Sequence, residues 1–147
     1  MPTRSARTAW NGTLQEGSGQ VELSSSKLGT YEVSFPKRSA EQANGYTSPE
    51  EFIAAAHSAC YAMQLSANIA EAGGTPESLE VNADVALGPD QERGGFQLTG
   101  ITITVRGEVT GLDADGFAEA ARAAKEGCPV SKALTGVEIT VDAALES

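Results

Sequence analysis

The chain has 147 residues, of which 40% are hydrophobic and only 5% aromatic, and its 20 acidic and 10 basic residues give a net charge of −10. This length fits a single domain over residues 1–147 with an aliphatic core, and the acidic balance argues against nucleic acid or an anionic membrane as a partner. No segment approaches the roughly 18 apolar residues of a membrane span, and the N-terminus lacks the apolar stretch of a secretory signal, so we expect a cytoplasmic protein.

The first third of the chain predicts strands followed by a loop. Residues 6–35 alternate between polar and apolar side chains and are interrupted by glycines. This pattern indicates two or three short antiparallel strands. Residues 36–47 show no periodicity and predict a loop.

A long helix is predicted to follow. Ser48 is a suitable N-cap, Pro49 suits the first helical position, and Glu51 stands where a capping box needs a carboxylate. The helix should run to about Ala72, where two glycines follow. Apolar residues that recur every three or four positions predict its buried side. These are Phe52, Ile53, Ala56, Ala59, Cys60, Met63 and Ala67.

The second half of the chain predicts a hairpin, two helical segments and a last strand. Phe117, Ala121 and Ala124 share one side of the longer helical segment and should be buried. Because the strands come in groups rather than alternating with helices, the pattern indicates an α+β fold. The predicted elements are strands 78–87 and 96–110, helix 113–126, a short helical turn 129–134 and strand 137–145.

The two cysteines are candidate redox residues. Cys60 lies on the apolar stripe of the long helix, where a cysteine can equally be a small core residue. Cys128 stands between a helix-ending glycine and Pro129, at the start of the short helical turn, where free N–H groups favour a thiolate; it can also be a loop cysteine without a role. A thiolate attacks the O–O bond of a peroxide, and a second thiol turns the resulting sulfenic acid into a disulfide. The pair therefore suits a peroxidase if the two sulfurs meet.

His57 is the only histidine and lies on the same helical face as Cys60. It could polarise the thiol, or it could be a partly buried histidine whose ring is satisfied by other partners. One histidine and two well-separated cysteines are too few for a zinc site, and there is no C-x-x-C motif. We therefore expect neither a metal nor another cofactor.

Three blocks of the sequence carry a family resemblance. They are Trp10–Gly12, Ser48–Cys60 and Gly127–Leu134. Together they resemble the OsmC/Ohr family of peroxidases, and His57 with the Gly-Cys-Pro-Val-Ser run is more similar to the OsmC branch. The resemblance implies the OsmC-like fold, in which antiparallel sheets surround a long central helix and two chains form an intertwined homodimer.

The resemblance also implies an activity and its residues. Cys60 matches the peroxidatic cysteine, Cys128 the resolving cysteine and Glu50 a glutamate of the site, while a required arginine falls on Arg38, with Lys37 as the competing candidate. The implied reaction is the reduction of organic hydroperoxides and hydrogen peroxide, with an external dithiol, of the lipoyl type in some members, as the reductant. It needs no metal, haem or flavin.

Two questions remain open from the sequence. The helix terminus favours Cys128 as the more acidic thiol, whereas the resemblance makes Cys60 the first to react. Glu50 and Cys60 are ten residues apart, about 15 Å along a helix, so a site that uses both requires a second chain. The alternatives to a peroxidase are a redox sensor of the same fold and an apolar-ligand-binding dimer without turnover.

Overall fold

The structure is a computed structural model that describes residues 1–147, and it comprises two compact units, residues 1–52 and residues 53–147. None of its helices combines the length and the apolar character that a membrane crossing requires. The mixed composition of helices and strands confirms the predicted α+β class. The organisation as one domain over the whole chain stays a prediction.

The first unit contains a three-stranded antiparallel sheet, as the alternation in residues 6–35 predicted. Its middle strand passes close to the first, since a Cβ at Gly19 would lie 2.6 Å from the carbonyl oxygen of Ala9. Only glycine therefore fits opposite Trp10, its register partner. The strands, in sheet order, are β1 (Arg7–Asn11), β2 (Ser18–Glu22) and β3 (Thr30–Val33).

Two helices begin in this unit, each on a serine cap. The loop predicted for residues 36–47 is wrong at its start, because Ser34 caps a short helix, α1 (Phe35–Arg38), through the N–H of Lys37 at 3.3 Å. The long helix α2 (Pro49–Glu71) confirms the prediction, and the Ser48 hydroxyl accepts the N–H of Glu51 at 3.1 Å. The carboxylate of Glu51 accepts from the Thr47 hydroxyl.

The second unit contains a sheet in the order β4-β5-β6, made of β4 (Thr75–Pro89), β5 (Phe96–Thr110) and β6 (Ile139–Leu145). β4 and β5 form the predicted hairpin, but β6 is parallel to β5, whereas only antiparallel sheets were expected. The cause is the connection between them, since helices α3 (Ala114–Gly127) and α4 (Pro129–Ala133) form the long crossover that parallel neighbours require.

The buried side of α2 differs from the predicted stripe. Tyr61, Leu65 and Ile69 are fully buried, while Met63 is 73% exposed. Alanines occupy so many positions of this helix that periodicity alone does not identify the buried face. The face with Tyr61, Leu65 and Ile69 is the buried one because these bulkier side chains bury more apolar area than alanines do. Of the predicted stripe, Phe52, Ile53 and Cys60 are partly buried, and Ala56, Ala59, Met63 and Ala67 are exposed.

The core of the second unit lies between the sheet, α2 and α3. As predicted, Phe117, Ala121 and Ala124 are buried on α3. Gly107 makes room for the ring of Phe117, because a Cβ there would lie 2.9 Å from it. The core residues are Tyr61, Leu65, Ile69, Ile101, Ile103, Val105, Val109, Phe117, Ala120, Ala121, Ala124, Cys128 and Ile139.

Candidate active site

The second unit brings the two cysteines together. Cys60 lies in the middle of α2, and Cys128 is the residue at which α3 ends and α4 begins. Their Sγ atoms are 3.1 Å apart, and both thiols are free. Cys128 is fully buried, whereas Cys60 is only partly buried. The sulfurs are thus close enough to form a disulfide after a small movement.

The surroundings separate the acidities of the two thiols. Burial is the main cause that raises the pKa of Cys60; a hydrogen bond with the backbone of Val130 opposes this rise, and the hydrogen bond and charge interaction with Cys128 add to it. Burial also opposes ionisation of Cys128, but hydrogen bonds from the backbone and hydroxyl of Ser131, from the Cys60 thiol and from the backbone of Val130 lower its pKa on balance. The start of α4 therefore favours a thiolate at Cys128, as the sequence position indicated.

His57 is fully buried beside the pair, one turn before Cys60 on α2. Its Nε2 lies 2.6 Å from the hydroxyl oxygen of Ser131, and its Nδ1 has no hydrogen-bond partner. Burial lowers the pKa of His57, so the imidazole is neutral. The interpretation of His57 as a satisfied, partly buried histidine is wrong, since the ring is fully buried and its Nδ1 has no hydrogen-bond partner.

Ser131 and Tyr61 are the residues near the cysteines that sequence reasoning missed. Ser131 is buried on α4, and its place three residues after Cys128, at the start of a helix, was the available signal. The Tyr61 hydroxyl donates to the carbonyl of Ala121 at 2.7 Å, which ties α2 to α3. Burial is the main cause that raises the pKa of Tyr61, and the charge of Cys128 adds to it, so the phenol stays neutral.

The first unit brings together the other two predicted site residues. The guanidinium of Arg38 donates Nη2–H to Glu50 Oε1 at 2.7 Å and Nε–H to both carboxylate oxygens at 3.0 and 3.1 Å. Glu50 is buried, while the Arg38 side chain is 32% exposed. The ammonium of Lys37 instead lies 5.4 Å from the centre of the Tyr46 ring. Arg38, not Lys37, is therefore the partner of Glu50.

The Arg38 side chain borders an apolar groove within the first unit. The groove has a volume of about 550 Å³. Two of the side chains that line it, Trp10 and Leu14, are 40% and 58% exposed. Its lining residues are Ala6, Thr8, Trp10, Leu14, Val21, Leu23, Val33, Ser34, Phe35, Arg38, Pro49 and Phe52. The groove thus offers an apolar surface with the guanidinium of Arg38 at its edge.

The predicted site residues are therefore found as two pairs, Cys60 with Cys128 in the second unit and Arg38 with Glu50 in the first. The sulfur pair can do two-electron redox chemistry, and the guanidinium can stabilise an anion. Among all residues, no three His, Cys, Asp or Glu side chains are grouped so that they could hold a metal ion.

Comparisons with known proteins place the chain in a family. A family profile described as OsmC-like protein matches residues 42–142. The chain is 42% identical to peroxiredoxin OsmC of Escherichia coli (strain K12) over 138 residues, which cover 94% of this chain and 93% of the relative. It is 33% identical to organic hydroperoxide resistance protein OhrB of Bacillus subtilis (strain 168) over 79% of each chain. The crystal structure of OhrB superimposes with a TM-score of 0.74 at 27% identity, covering 95% of this chain and 97% of the other. The chain belongs to the OsmC-like protein family.

Proposed function

We propose that this protein is a cysteine-based peroxidase that reduces organic hydroperoxides, and hydrogen peroxide, to an alcohol or water. The observation that carries the proposal is the pair of free thiols at 3.1 Å, one partly exposed and one buried. The relatives named peroxiredoxin and organic hydroperoxide resistance protein support the same chemistry for this chain.

The reaction balances over three steps. The Cys60 thiolate attacks the distal peroxide oxygen, the O–O bond breaks, and the leaving alkoxide takes a proton to become an alcohol while Cys60 becomes a sulfenic acid. The Cys128 thiolate then attacks the oxidised sulfur, forms the disulfide and releases hydroxide, which is protonated to water. An external dithiol of the lipoyl type supplies two electrons and two protons by thiol–disulfide exchange and restores both thiols.

Cys60 is assigned the first step because a peroxide can reach it. Cys128 has no exposed surface, whereas Cys60 is partly accessible. The order of the pKa values within one chain favours Cys128 as the thiolate. A peroxidatic Cys60 therefore needs a cation, and the guanidinium of Arg38 is suited to that task because it stays charged and can donate to the peroxide oxygen.

The assembly that we propose is a homodimer in which each site takes Cys60 and Cys128 from one chain and Arg38 with Glu50 from the other. The ten-residue spacing between Glu50 and Cys60 argues for a second chain. The apolar face of α2 that contains Met63 is exposed, and the groove beside Arg38 is open. Exposed apolar surfaces of this kind mark sites where a partner packs. The cytoplasm, where thiols stay reduced, is the proposed compartment.

The test is peroxide consumption by three proteins: the wild type, Cys60→Ser and Cys128→Ser, each supplied with cumene hydroperoxide and dihydrolipoamide. We expect steady turnover by the wild type, none by Cys60→Ser, and from Cys128→Ser a single sulfenic acid that a dimedone reagent traps. Mass spectrometry of the wild type after one equivalent of peroxide should show Cys60 linked to Cys128. Full turnover by Cys60→Ser would reject the assignment.

The same assay separates the alternatives. A redox sensor would oxidise once and would not turn over with the dithiol. A binding protein for apolar ligands would lose its thiols slowly, at the rate of an ordinary cysteine. Repeated turnover at a rate well above that of free cysteine supports the peroxidase only.

A further inference from the structure

Two side-chain contacts join α2 to the start of α4. The first is the sulfur pair itself, in which Cys60 and Cys128 are 3.1 Å apart. The second joins Nε2 of His57 to the hydroxyl oxygen of Ser131 at 2.6 Å. His57 precedes Cys60 by three residues, and Ser131 follows Cys128 by three. The two contacts are therefore about one helical turn apart on both helices.

The backbone between the two contacts is fixed on both sides. His57 and Cys60 lie within the 23-residue helix α2. Cys128 is bonded into the start of α4, since its carbonyl accepts the N–H of Lys132 at 3.0 Å. Because a single turn of backbone separates Ser131 from Cys128, a movement of Ser131 away from α2 carries Cys128 with it. The distance between His57 and Ser131 therefore affects how near the two sulfurs come.

The position of α4 depends on its contacts with the rest of the second unit. This helix comprises only Pro129–Ala133, and a helix of five residues is not stable without tertiary contacts. Val130 and Leu134 pack against the core, but contacts between apolar side chains have no preferred direction. A hydrogen bond, in contrast, requires a narrow range of distance and angle. The bond between Ser131 and His57 therefore defines the position of this turn more closely than apolar packing does.

Packing alone does not explain the burial of His57. Its side chain is fully buried, Ser131 is only 5% exposed, and Nδ1 has no hydrogen-bond partner. A buried polar atom without a partner destabilises a folded protein, so an apolar side chain would fill this place at a smaller cost in free energy. An apolar side chain could not, however, form the bond that Nε2 forms. Because a serine hydroxyl both donates and accepts, this bond forms with either tautomer of His57.

We propose that the hydrogen bond between His57 and Ser131 is a clamp that holds the start of α4 against α2 and so keeps the two sulfurs within bonding reach. The two residues position the step in which Cys128 resolves oxidised Cys60, and in this respect the proposal rests on the proposed function. In that step the Cys128 thiolate forms the S–S bond, the S–O bond of the sulfenic acid breaks, and the departing hydroxide takes a proton to become water. The clamp exchanges neither protons nor electrons with the sulfurs.

The clamp acts through the effective concentration of one thiol at the other. A group that is held beside its reaction partner reacts faster than a free one, because the loss of motional freedom has already occurred. If α4 moves away from α2, Cys128 spends part of its time out of reach, and the sulfenic acid of Cys60 stays open to irreversible oxidation. The attack on peroxide uses only Cys60, so we expect the clamp to affect the second step much more than the first.

The first experiment measures this effective concentration without peroxide. Each protein is equilibrated with reduced and oxidised glutathione and quenched by alkylation, and mass spectrometry gives the fraction in which Cys60 is linked to Cys128. In this exchange the two protein thiols lose two electrons and two protons, and one glutathione disulfide becomes two glutathione thiols. We expect Ser131→Ala and His57→Leu each to lower the equilibrium constant about tenfold, the effect of losing one buried hydrogen bond.

Two further variants test whether the effect comes from the bond itself. In the double variant, with His57→Leu and Ser131→Ala together, the constant should be about as low as in either single variant, since both changes remove the same bond. His57→Gln, whose amide can reach the Ser131 hydroxyl, should restore most of the wild-type value. Ser131→Ala deletes a single oxygen, so it carries the test if His57→Leu does not fold. Fully additive losses in the double variant would overturn the proposal.

The matched control is Tyr61→Phe, which removes another buried hydrogen bond of α2. The Tyr61 hydroxyl donates to the Ala121 carbonyl at 2.7 Å, but this bond ends on α3, seven residues before Cys128. Tyr61→Phe should lower the melting temperature about as much as Ser131→Ala does and leave the glutathione equilibrium nearly unchanged. If folded Ser131→Ala shifts the equilibrium no more than Tyr61→Phe, the bond of Ser131 is a stabilising contact only and the proposal is wrong.

A kinetic measurement separates this proposal from the proposed function. After one equivalent of cumene hydroperoxide, Ser131→Ala should form the Cys60 sulfenic acid at the wild-type rate and the disulfide about tenfold more slowly. If the wild type fails to consume peroxide, the peroxidase assignment is lost while the glutathione equilibrium still decides the clamp. If peroxide is consumed and the disulfide of Ser131→Ala forms at the wild-type rate, the clamp is lost alone.

Discussion

The shared site proposed for two chains predicts that two inactive variants restore each other. Arg38→Met keeps the length of the side chain but removes the guanidinium that donates to Glu50 at 2.7, 3.0 and 3.1 Å. A hydrogen bond from a charged group to a developing anion contributes about 1.5–3 kcal/mol. Because the Arg38 side chain is 32% exposed, solvent screens part of this, and we expect a loss of about tenfold to thirtyfold in kcat/KM, or about 1.4–2 kcal/mol.

The assay uses dimers that contain one Arg38→Met chain and one Cys60→Ser chain, purified through two different tags after co-expression. If Arg38 acts on Cys60 of the other chain, such a dimer has one intact site and one site that lacks both groups. It should therefore turn over cumene hydroperoxide at about half the wild-type rate per dimer, far above either parent.

The matched control pairs Arg38→Met with a chain that has both substitutions, so no site can be intact. Its activity should stay at the level of the Arg38→Met homodimer or below. If the first heterodimer is no more active than this control, Arg38 acts within its own chain and the shared site is refuted. A heterodimer that cannot be isolated because the protein is monomeric yet active would refute it as well.

Three further predictions concern stability, assembly and pH. Tyr61→Phe removes the hydroxyl that donates to Ala121 at 2.7 Å, and urea unfolding should show a loss of about 1 kcal/mol, with Tyr31→Phe, on an exposed tyrosine, as the neutral control. Met63→Glu, on the face of α2 that is open in one chain, should shift sedimentation toward the monomer without lowering the helix content; an unchanged dimer would contradict the proposed interface. His57 has a lowered pKa when folded, so the unfolded chain binds the extra proton first, and stability should fall as the pH drops below about 6.5. His57→Gln should lack this part of the loss between pH 6.5 and 5, and identical pH profiles of the free energy of unfolding would count against a buried neutral imidazole.

Local signals in the sequence predicted most helices and strands, because caps and periodic apolar residues act over a few neighbouring positions. Ser48 and Pro49 begin α2, and Phe117 with its alanine neighbours identifies the buried side of α3. The start of α1 was missed because a serine cap followed by a proline is a weak signal over only four residues. The alternation of polar and apolar side chains predicted the strands of both sheets. It did not predict the direction of β6, because side chains alternate in the same way in parallel and antiparallel strands.

The buried face of α2 shows where periodicity fails. The alanine positions and the positions of Tyr61, Leu65 and Ile69 both repeat at helical spacing, so two faces compete. Only the packing against the sheet and α3 decides between them, because burial favours the face with the larger apolar area. The same packing buried His57 and brought it to Ser131, 74 positions away, a contact that no local pattern could indicate.

The sequence by itself determined the fold class, the cap that begins α2, the family and the four candidate residues Cys60, Cys128, Arg38 and Glu50, because these depend on residue types and short spacings. The tertiary structure alone decided that the two sulfurs lie 3.1 Å apart, that Glu50 pairs with Arg38 and not Lys37, and that the buried imidazole of His57 lies 2.6 Å from the Ser131 hydroxyl. These contacts join residues that are 12 to 74 positions apart, beyond the reach of a cap or a helical repeat, so they form only when the chain has packed.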